Sequence, residues 1–270
     1  ALLLLALLHG ATAAAAPPQR IVSLNVCADQ ILVDLVPRER IAAVTHLATD
    51  PLTAAKPERA AGLRQTRGGA EDVVALKPDL VLVGEYSTPA TTDLLRRLGF
   101  RVEPVALPQS IDGVRALIRR MAEFVEEPSR GAALIAAMDG RIAATSPSSS
   151  PQRPRALVYQ ANNFVAPEGT LVDEAMRVAG LSNAAARLSY TRRGQVGVED
   201  IILSRPDLLI YASGPEAYRT TVGDNIRHPA LHQKSWRAEL VLPWPLWLCA
   251  THHVAEAVER LAAARDRLSR

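Results

Sequence analysis

The sequence predicts an α/β protein in which two parallel-sheet α/β lobes are joined by a long rigid helix, with a ligand cleft between the lobes. Three observations carry this expectation. The stretch Ala70–Val83 (AEDVVALKPDLVLV) returns as Val198–Tyr211 (VEDIILSRPDLLIY), with Glu71 answering Glu199 and Asp79 answering Asp207. A repeat at so long a spacing points to two similar lobes. Apolar runs without polar alternation alternate with helical segments, as in strands covered on both faces of a parallel sheet. Between the two halves lies a helical stretch with no strand signal.

The repeated unit reads the same way in both copies. Two acids, Glu71 and Asp72 or Glu199 and Asp200, open a short helix, where negative charge meets the free amides and the positive end of the dipole. The residue before Pro78 or Pro206 is pushed out of the helical region, so the helix is expected to stop at Lys77 or Arg205. Leu80–Val83 or Leu208–Tyr211 then forms a buried strand.

In chain order, Ile21–Leu24 reads as the first strand, followed by a turn at Asn25–Ala28 and a helix through Leu35. Ile41–Val44 is a second strand, followed by the loop His46–Pro51. After the first repeat unit come the loop Gly84–Pro89, a helix Thr92–Leu98 ended by Gly99, and a strand Arg101–Val105. Ile111–Val125 has helical periodicity, Pro128 and Ser129 restart a helix, Ala132–Ala144 continues it, and Ser146–Pro154 is a loop by composition. A helix joining two lobes resists bending, so small lobe motion is expected. The second lobe then brings a strand Ala156–Gln160, a helix Leu171–Ala179 capped by Gly180, the second repeat unit, a late strand Glu239–Leu242 and a closing helix His252–Leu268. The expected division is 1–16, 17–108, 109–150 and 151–270: a signal remnant, an N-terminal lobe, linking helices and a C-terminal lobe.

Hydrophobic residues make up 48% of the 270, enough for two buried sheets, and the net charge of +3 comes from interspersed Lys, Arg, Asp and Glu with no basic stripe. Nucleic acid is therefore not an expected partner. Residues 1–16 read as the end of a secretory signal: Leu2–Leu8 is too short an apolar run to span a bilayer, and Ala11-Thr12-Ala13 or Ala13-Ala14-Ala15 supplies small residues for cleavage. No Cys follows the apolar core directly, so an exported chain without a lipid anchor is expected. Export to an oxidising compartment would allow Cys27 and Cys249 to pair. The chain has no G-x-S-x-G elbow, phosphate loop, H-E-x-x-H or G-x-G-x-x-G, and no enzymatic activity is expected.

Arg20–Leu24 (RIVSL), Glu71–Val83, Thr170–Asn183 (TLVDEAMRVAGLSN), Glu199–Leu209 and the closing helix together resemble the periplasmic substrate-binding proteins of ABC importers for vitamin B12 and ferric siderophores, the class with a rigid helix between its lobes. The resemblance implies the periplasm as its place, and a soluble, monomeric receptor that binds an iron-siderophore or cobalamin-type metal chelate between its lobes. It also implies delivery of that ligand to the permease dimer of an ABC transporter at the inner membrane. By motif, Glu71 and Glu199 take the places of the acids that meet the permease; one acid per lobe suits two-fold docking. Where B12 receptors tend to carry an aromatic, six residues before each of these glutamates, this chain has Gln65 and Arg193. With Arg64, Arg67 and Arg192 these positions would suit an anionic chelate through charge-assisted hydrogen bonds.

Ligand contacts are expected in loops after strands, because ligands gather at the carboxyl ends of parallel strands. On that ground Asn25, Cys27, His46 and Tyr86 are candidates from the first lobe, with Gln65 and Arg67. Gln160, Asn162, Phe164, Tyr190, Arg193 and Trp247 are candidates from the second, along with Tyr218. Aromatic faces suit a bulky planar ligand. The segment Pro243–His253 (PWPLWLCATHH) leaves three readings of its cysteine open: a Cys27–Cys249 disulfide, a thiol–imidazole metal site with His46 and His252 or His253, or free thiols. Besides a periplasmic enzyme, which the missing motifs disfavour, two alternatives to the main reading remain. A direct metal-ion receptor would draw on His46, His252 and His253, and a haem receptor would take Tyr86, Tyr190 or His46 as axial ligand. No resident cofactor is required.

Overall fold

The computed structural model describes residues 16–85, 89–145, 153–188, 195–211, 226, 228–232 and 236–268. The chain forms two all-parallel sheets. The first is built from β1 (Ile21–Ser23), β2 (Ile41–Thr45), β3 (Gln65–Thr66), β4 (Leu80–Gly84) and β5 (Val102–Val105), in the order β3-β2-β1-β4-β5. The second holds β6 (Arg155–Tyr159), β7 (Ser182–Asn183), β8 (Leu208–Tyr211) and β9 (Ala238–Val241), in the order β7-β6-β8-β9. The two-residue edge strands β3 and β7 escape sequence reading because so short a run has no periodicity.

Every residue of β4 and of β8 is buried, as their unbroken apolar runs require. In β4, Val81 and Val83 face Val73 and Leu76 of α2 (Ala70–Leu76) and Leu95 of α3 (Pro89–Arg97). Leu80 and Leu82 face the larger core, which takes in α1 (Val26–Leu35) and the linking helices. That core runs without a break into the second lobe, through Ala156, Val158, Leu208 and Ile210 to the closing helix α9 (Val254–Leu268). A smaller cluster on the opposite face of the second sheet joins Leu157, Tyr159, Leu209 and Tyr211 to Ile201 of α7 (Val198–Ser204).

The link is a helical hairpin rather than one long helix. α4 (Ile111–Phe124) starts on a Ser110 cap, whose hydroxyl accepts from the Gly113 amide at 3.0 Å. It ends where Glu126 adopts φ 59, and α5 (Pro128–Ala144) runs back along it. A Cβ at Gly131 would lie 2.5 Å from that of Ala122, so glycine is what lets the two helices approach. Arg40 anchors the turn by donating to the carbonyls of Pro18 at 2.7 Å and Val125 at 2.6 Å, and by pairing with Glu127 at 2.5 Å. The pair, like the single helix expected, spans from one lobe to the other. Among the described residues no helix is long and apolar enough to cross a membrane.

Both repeat helices stop where the sequence says, but not in the extended conformation that a following proline favours. Lys77 and Arg205 are left-handed, at φ 47 and φ 43. Each helix end is then closed by an arginine from the start of the lobe: Arg20 donates to the Leu76 carbonyl at 2.6 Å, and Arg155 donates to those of Ser204, at 3.1 Å, and Arg205. The Asp of each Pro-Asp pair returns the contact. Asp79 accepts from the Gln19 and Arg20 amides at 2.6 and 2.9 Å, and Asp207 from the Arg155 amide at 2.8 Å. The repeated Pro-Asp thus ties a helix end to the first strand of its own lobe.

Candidate functional site

The carboxyl ends of β5, β6 and β9 open on a cavity of about 250 Å³. Its floor comes from Leu107, Pro108 and Gln109 before α4, and its walls from Gln160, Phe164–Pro167, and Thr170–Val172 at the start of α6 (Leu171–Val178). Trp244, Trp247 and Ala250, around the short helix α8 (Pro245–Leu248), complete it. Phe164 is set in place by an unusual loop. Asn162 and Asn163 both take positive φ, 59 and 62, and Asn163 accepts from the Tyr159 hydroxyl at 2.6 Å. The Gln160 amide then donates to the Phe164 carbonyl at 2.8 Å, and the Val196 amide to that of Asn163 at 3.0 Å. Asparagine tolerates left-handed backbone better than bulky residues do, which explains the Asn-Asn pair. Trp247 is buried, and its indole N–H has no acceptor among the described residues.

Of the sequence candidates, Gln160, Phe164 and Trp247 meet in this cavity. Asn162 lies next to it, exposed, its carbonyl accepting from Gln195 at 3.1 Å. Asn25 is occupied otherwise: its side chain caps α1, accepting from the Cys27 and Ala28 amides at 3.0 Å each. His46, Gln65, Arg64 and Arg67 are exposed, and Gln65 donates to Thr49 at 3.0 Å. Tyr86, Tyr190, Arg192, Arg193 and Tyr218 lie outside the described residues. Leu107, Pro108 and Thr170–Val172 carry no sequence signal of a ligand contact beyond the apolar step after β5, which also follows a strand.

Behind the cavity the lobes are joined by a seam. Cys27 and Cys249 form a disulfide with Cα atoms 4.9 Å apart, so neither sulfur remains as a thiolate for a thiol–imidazole metal site. Further along α1, Asp34 pairs with His252 at 3.1 Å, and Lys56 pairs with Glu256 of α9 at 3.2 Å. Burial works to raise the Asp34 carboxyl, but hydrogen bonds and charge from His252 and Arg59 outweigh it and hold the group below its usual range. Burial, reinforced by the neighbouring His252, pushes His253 down to about 3, so it stays neutral. Asp29, also on α1, is raised to about 7 because burial outweighs the hydrogen bonds it accepts, among them those from the Thr45 amide at 3.1 Å and hydroxyl at 2.5 Å.

Glu71 and Glu199 stand exposed in the first turns of α2 and α7. The second acid of each pair folds back towards the helix start. Asp200 accepts from the Gly197 amide at 3.1 Å, and the Asp72 carboxylate would lie 3.5 Å from a Cβ at Gly69.

A family model for periplasmic binding proteins matches residues 21–233. The chain belongs to the periplasmic binding protein family. Its lobes, parallel sheets and interlobe cleft are those of a binding protein and not of an enzyme, and its place is the periplasm. It is similar to the cobalamin-binding protein of Halobacterium salinarum, with 29% identity over 197 residues, 72% of this chain and 53% of that protein. It therefore spans about half the length of that relative. Among solved structures it resembles the periplasmic heme-binding protein RhuT of Roseiflexus sp. RS-1, with TM-score 0.77 and 27% identity, covering 93% of this chain and 99% of the other. It shares the fold of the vitamin B12 binding protein BtuF of Vibrio cholerae, with TM-score 0.69 and 18% identity, covering 94% of this chain and 99% of that one.

Proposed function

We propose that this periplasmic binding protein captures haem, or a closely similar flat metal tetrapyrrole, and hands it to the permease dimer of an ABC transporter. The observation that carries this reading is the cavity lining: Phe164, Trp244, Trp247, Leu107 and Leu171, with prolines and alanines around them and no charged side chain among the described lining residues. An apolar, aromatic wall suits the face of a macrocycle. A strongly anionic ferric siderophore would ask for guanidinium groups at the wall, and Arg64 and Arg67 are instead exposed away from it. The likeness to a heme-binding structure at 27% identity supports the same choice. A corrinoid is the second reading, favoured by the cobalamin-binding relative.

Titration of the purified protein with haemin, cyanocobalamin and a set of ferric siderophores, followed by absorbance and tryptophan quenching, separates these readings. Saturable haemin binding with a shifted Soret band is expected, weakened about tenfold or more by Trp247→Ala and by Phe164→Ala. Binding of cyanocobalamin or a siderophore in place of haemin would overturn the haem reading and leave the family intact.

Delivery is assigned to Glu71 and Glu199. Both are exposed while their neighbours Asp72 and Asp200 attend to the helix starts, and each has an exposed apolar residue near it on the same short helix, Val74 at 38% and Leu203 at 77%. An acid flanked by an apolar contact in each lobe fits a two-fold receiving surface that carries cations. Reversing both to Lys is expected to abolish stimulation of the transporter while ligand affinity holds; undiminished uptake would remove the assignment.

A further inference from the structure

The seam behind the cavity contains a second cluster whose chemistry the binding reading does not use. Asp34, near the end of α1, belongs to the first lobe, and His252 and His253 stand at the entry to α9 in the second. One ligating atom from each of the three residues lies within 4.8 Å of the other two. His253 is only 5% exposed, and the two imidazole rings stand 4.0 Å apart and tilted by 44°. Among His/Cys/Asp/Glu groupings of the described residues, this is the one compact enough to hold a metal ion.

We infer that Asp34, His252 and His253 form a binding site for a divalent transition-metal ion of the zinc class, bridging the two lobes. Two imidazoles and one carboxylate select such ions over calcium or magnesium, which prefer oxygen ligands throughout. The Asp34 and His252 atoms are 3.1 Å apart, near the ~3.3 Å between neighbouring ligands of a tetrahedral zinc with ~2.0 Å bonds. An ion between them takes the place of the shared proton, and His253, with a ligand atom within 4.8 Å of both, supplies the third ligand. A fourth position is left for water, as in three-ligand zinc sites.

Two features show that the cluster is more than a satisfied ion pair. The Asp34 contact engages one nitrogen of His252, and the other nitrogen, Nδ1, is buried with no hydrogen-bond partner. The second, buried imidazole of His253 brings a further ligand atom within 4.8 Å of that contact, which an Asp–His ion pair does not need. The surrounding charges are also arranged to leave the ligands in place: Arg59 holds the other oxygen of Asp34, and Glu256 engages Lys56. Because the ligands come from both lobes, the ion acts beside the disulfide as a second tie across the seam, through side chains that are not among the described residues lining the cavity.

The test uses the full protein, stripped with a chelator and titrated with zinc by calorimetry, then loaded with cobalt(II) for absorption spectroscopy. One zinc per chain, a raised melting temperature and the intense visible bands of a four-coordinate cobalt site are expected. Asp34→Asn and His253→Gln should each weaken binding about tenfold or more, while His46→Gln and His228→Gln, both exposed, leave it unchanged. Absence of saturable binding would overturn the site. So would binding that survives Asp34→Asn and His253→Gln but is lost with the exposed histidines, or a cobalt spectrum of a six-coordinate aqua-like ion in the unmutated protein. The cobalt spectrum decides the matter even where a variant fails to fold. Haemin titration of the stripped protein keeps the two sites apart, since it should be unaffected.

Discussion

In the N-terminal lobe Arg20 and Asp79 tie the end of α2 to the first strand, and in the C-terminal lobe Arg155 and Asp207 make the same tie to α7. The helix ends share a left-handed residue, and Glu71 and Glu199 emerge at matching places. The cavity does not share this symmetry. Apart from Leu107, Pro108 and Gln109 at its floor, its lining among the described residues comes from the C-terminal lobe. Three residues after the first strand of the N-terminal lobe are committed elsewhere: Asn25 caps a helix, Cys27 is bonded to Cys249, and Asp29 is buried against Thr45. Duplicated parts therefore serve the folding of each lobe, while the described lining of the cavity comes mostly from one of them.

The strongest way to test how the lobes depend on each other is to cut the covalent tie. Cys27 and Cys249 are the only two cysteines and close a loop with a sequence separation of 222. Cys27→Ser with Cys249→Ser, or reduction of the unmutated protein, should lower the unfolding free energy by about 3–5 kcal/mol. Thermal or denaturant unfolding with and without reductant measures this. If the seam is held chiefly by the shared core, the transition remains single; if the disulfide is what couples the lobes, it splits into two.

A second contrast lies in the acids that pin the helix after each lobe's first strand. Asp29 of α1 reaches Thr45 at the end of β2, and Asp173 of α6 reaches Asn183 at the end of β7 at 3.0 Å. Asp29 is 1% exposed and raised from 3.8 to about 7, so the folded state holds this proton more tightly than the unfolded chain does. Its contribution is complete below pH ~4 and is lost as pH rises through ~7. Asp29→Asn keeps the shape and does not titrate. It should therefore gain on the unmutated protein between pH 5 and 8 by on the order of 2–4 kcal/mol, since each tenfold difference in proton affinity between folded and unfolded chain corresponds to about 1.4 kcal/mol. Asp173→Asn, only half-buried, should cost about 1 kcal/mol through weakened hydrogen bonds. Urea unfolding across this pH range distinguishes the two. A pH-independent gap for Asp29→Asn would mean that the carboxyl is not held protonated.

Much of this scaffold is legible in the sequence because its signals are local. The unbroken runs Leu80–Val83 and Leu208–Tyr211 can only be buried strands, and Pro78 and Pro206 fix where the preceding helices stop. The tie made by Arg20 and Asp79 is not legible, because the partners are 59 residues apart and nothing at Arg20 marks its target. The site shows the same division. Phe164 and Trp247 stand out as aromatics after strands in a chain with few of them. Thr170–Val172 read only as the start of a helix, since the wall they form depends on how α6 faces the linking hairpin. Asn25 shows why such positions are hard to read: a capping side chain and a candidate binding side chain occupy the same kind of place, just after a strand.

The two ties also differ in strength, and this gives a third and finer test. Asp79 accepts from two amides and Asp207 from one, with the Arg155 side chain no closer than 4.0 Å to the Asp207 carboxylate. Asp79→Ala is expected to cost about 2 kcal/mol and Asp207→Ala about 1 kcal/mol, because each amide–carboxylate bond at this exposure contributes about 1 kcal/mol. Denaturant midpoints of the two variants compare them directly, and equal losses would show that bond count is not what separates the lobes.

The smallest expected effect is at the left-handed helix ends. A residue with a Cβ is strained there, and glycine relieves the strain at the expense of a more flexible unfolded chain. Lys77→Gly and Arg205→Gly should each stabilise by about 0.5 kcal/mol, the net of those opposing terms. The carbonyls that Arg20 and Arg155 hold are main-chain atoms and survive both changes. If the repeat is equivalent as a folding unit, the two gains agree within error and add in the double variant, since the sites are in different lobes and share no partner. A gain at one position and a loss at the other would show that the symmetry of the backbone conceals different strain, and that one of these turns is held in place by something beyond its own helix.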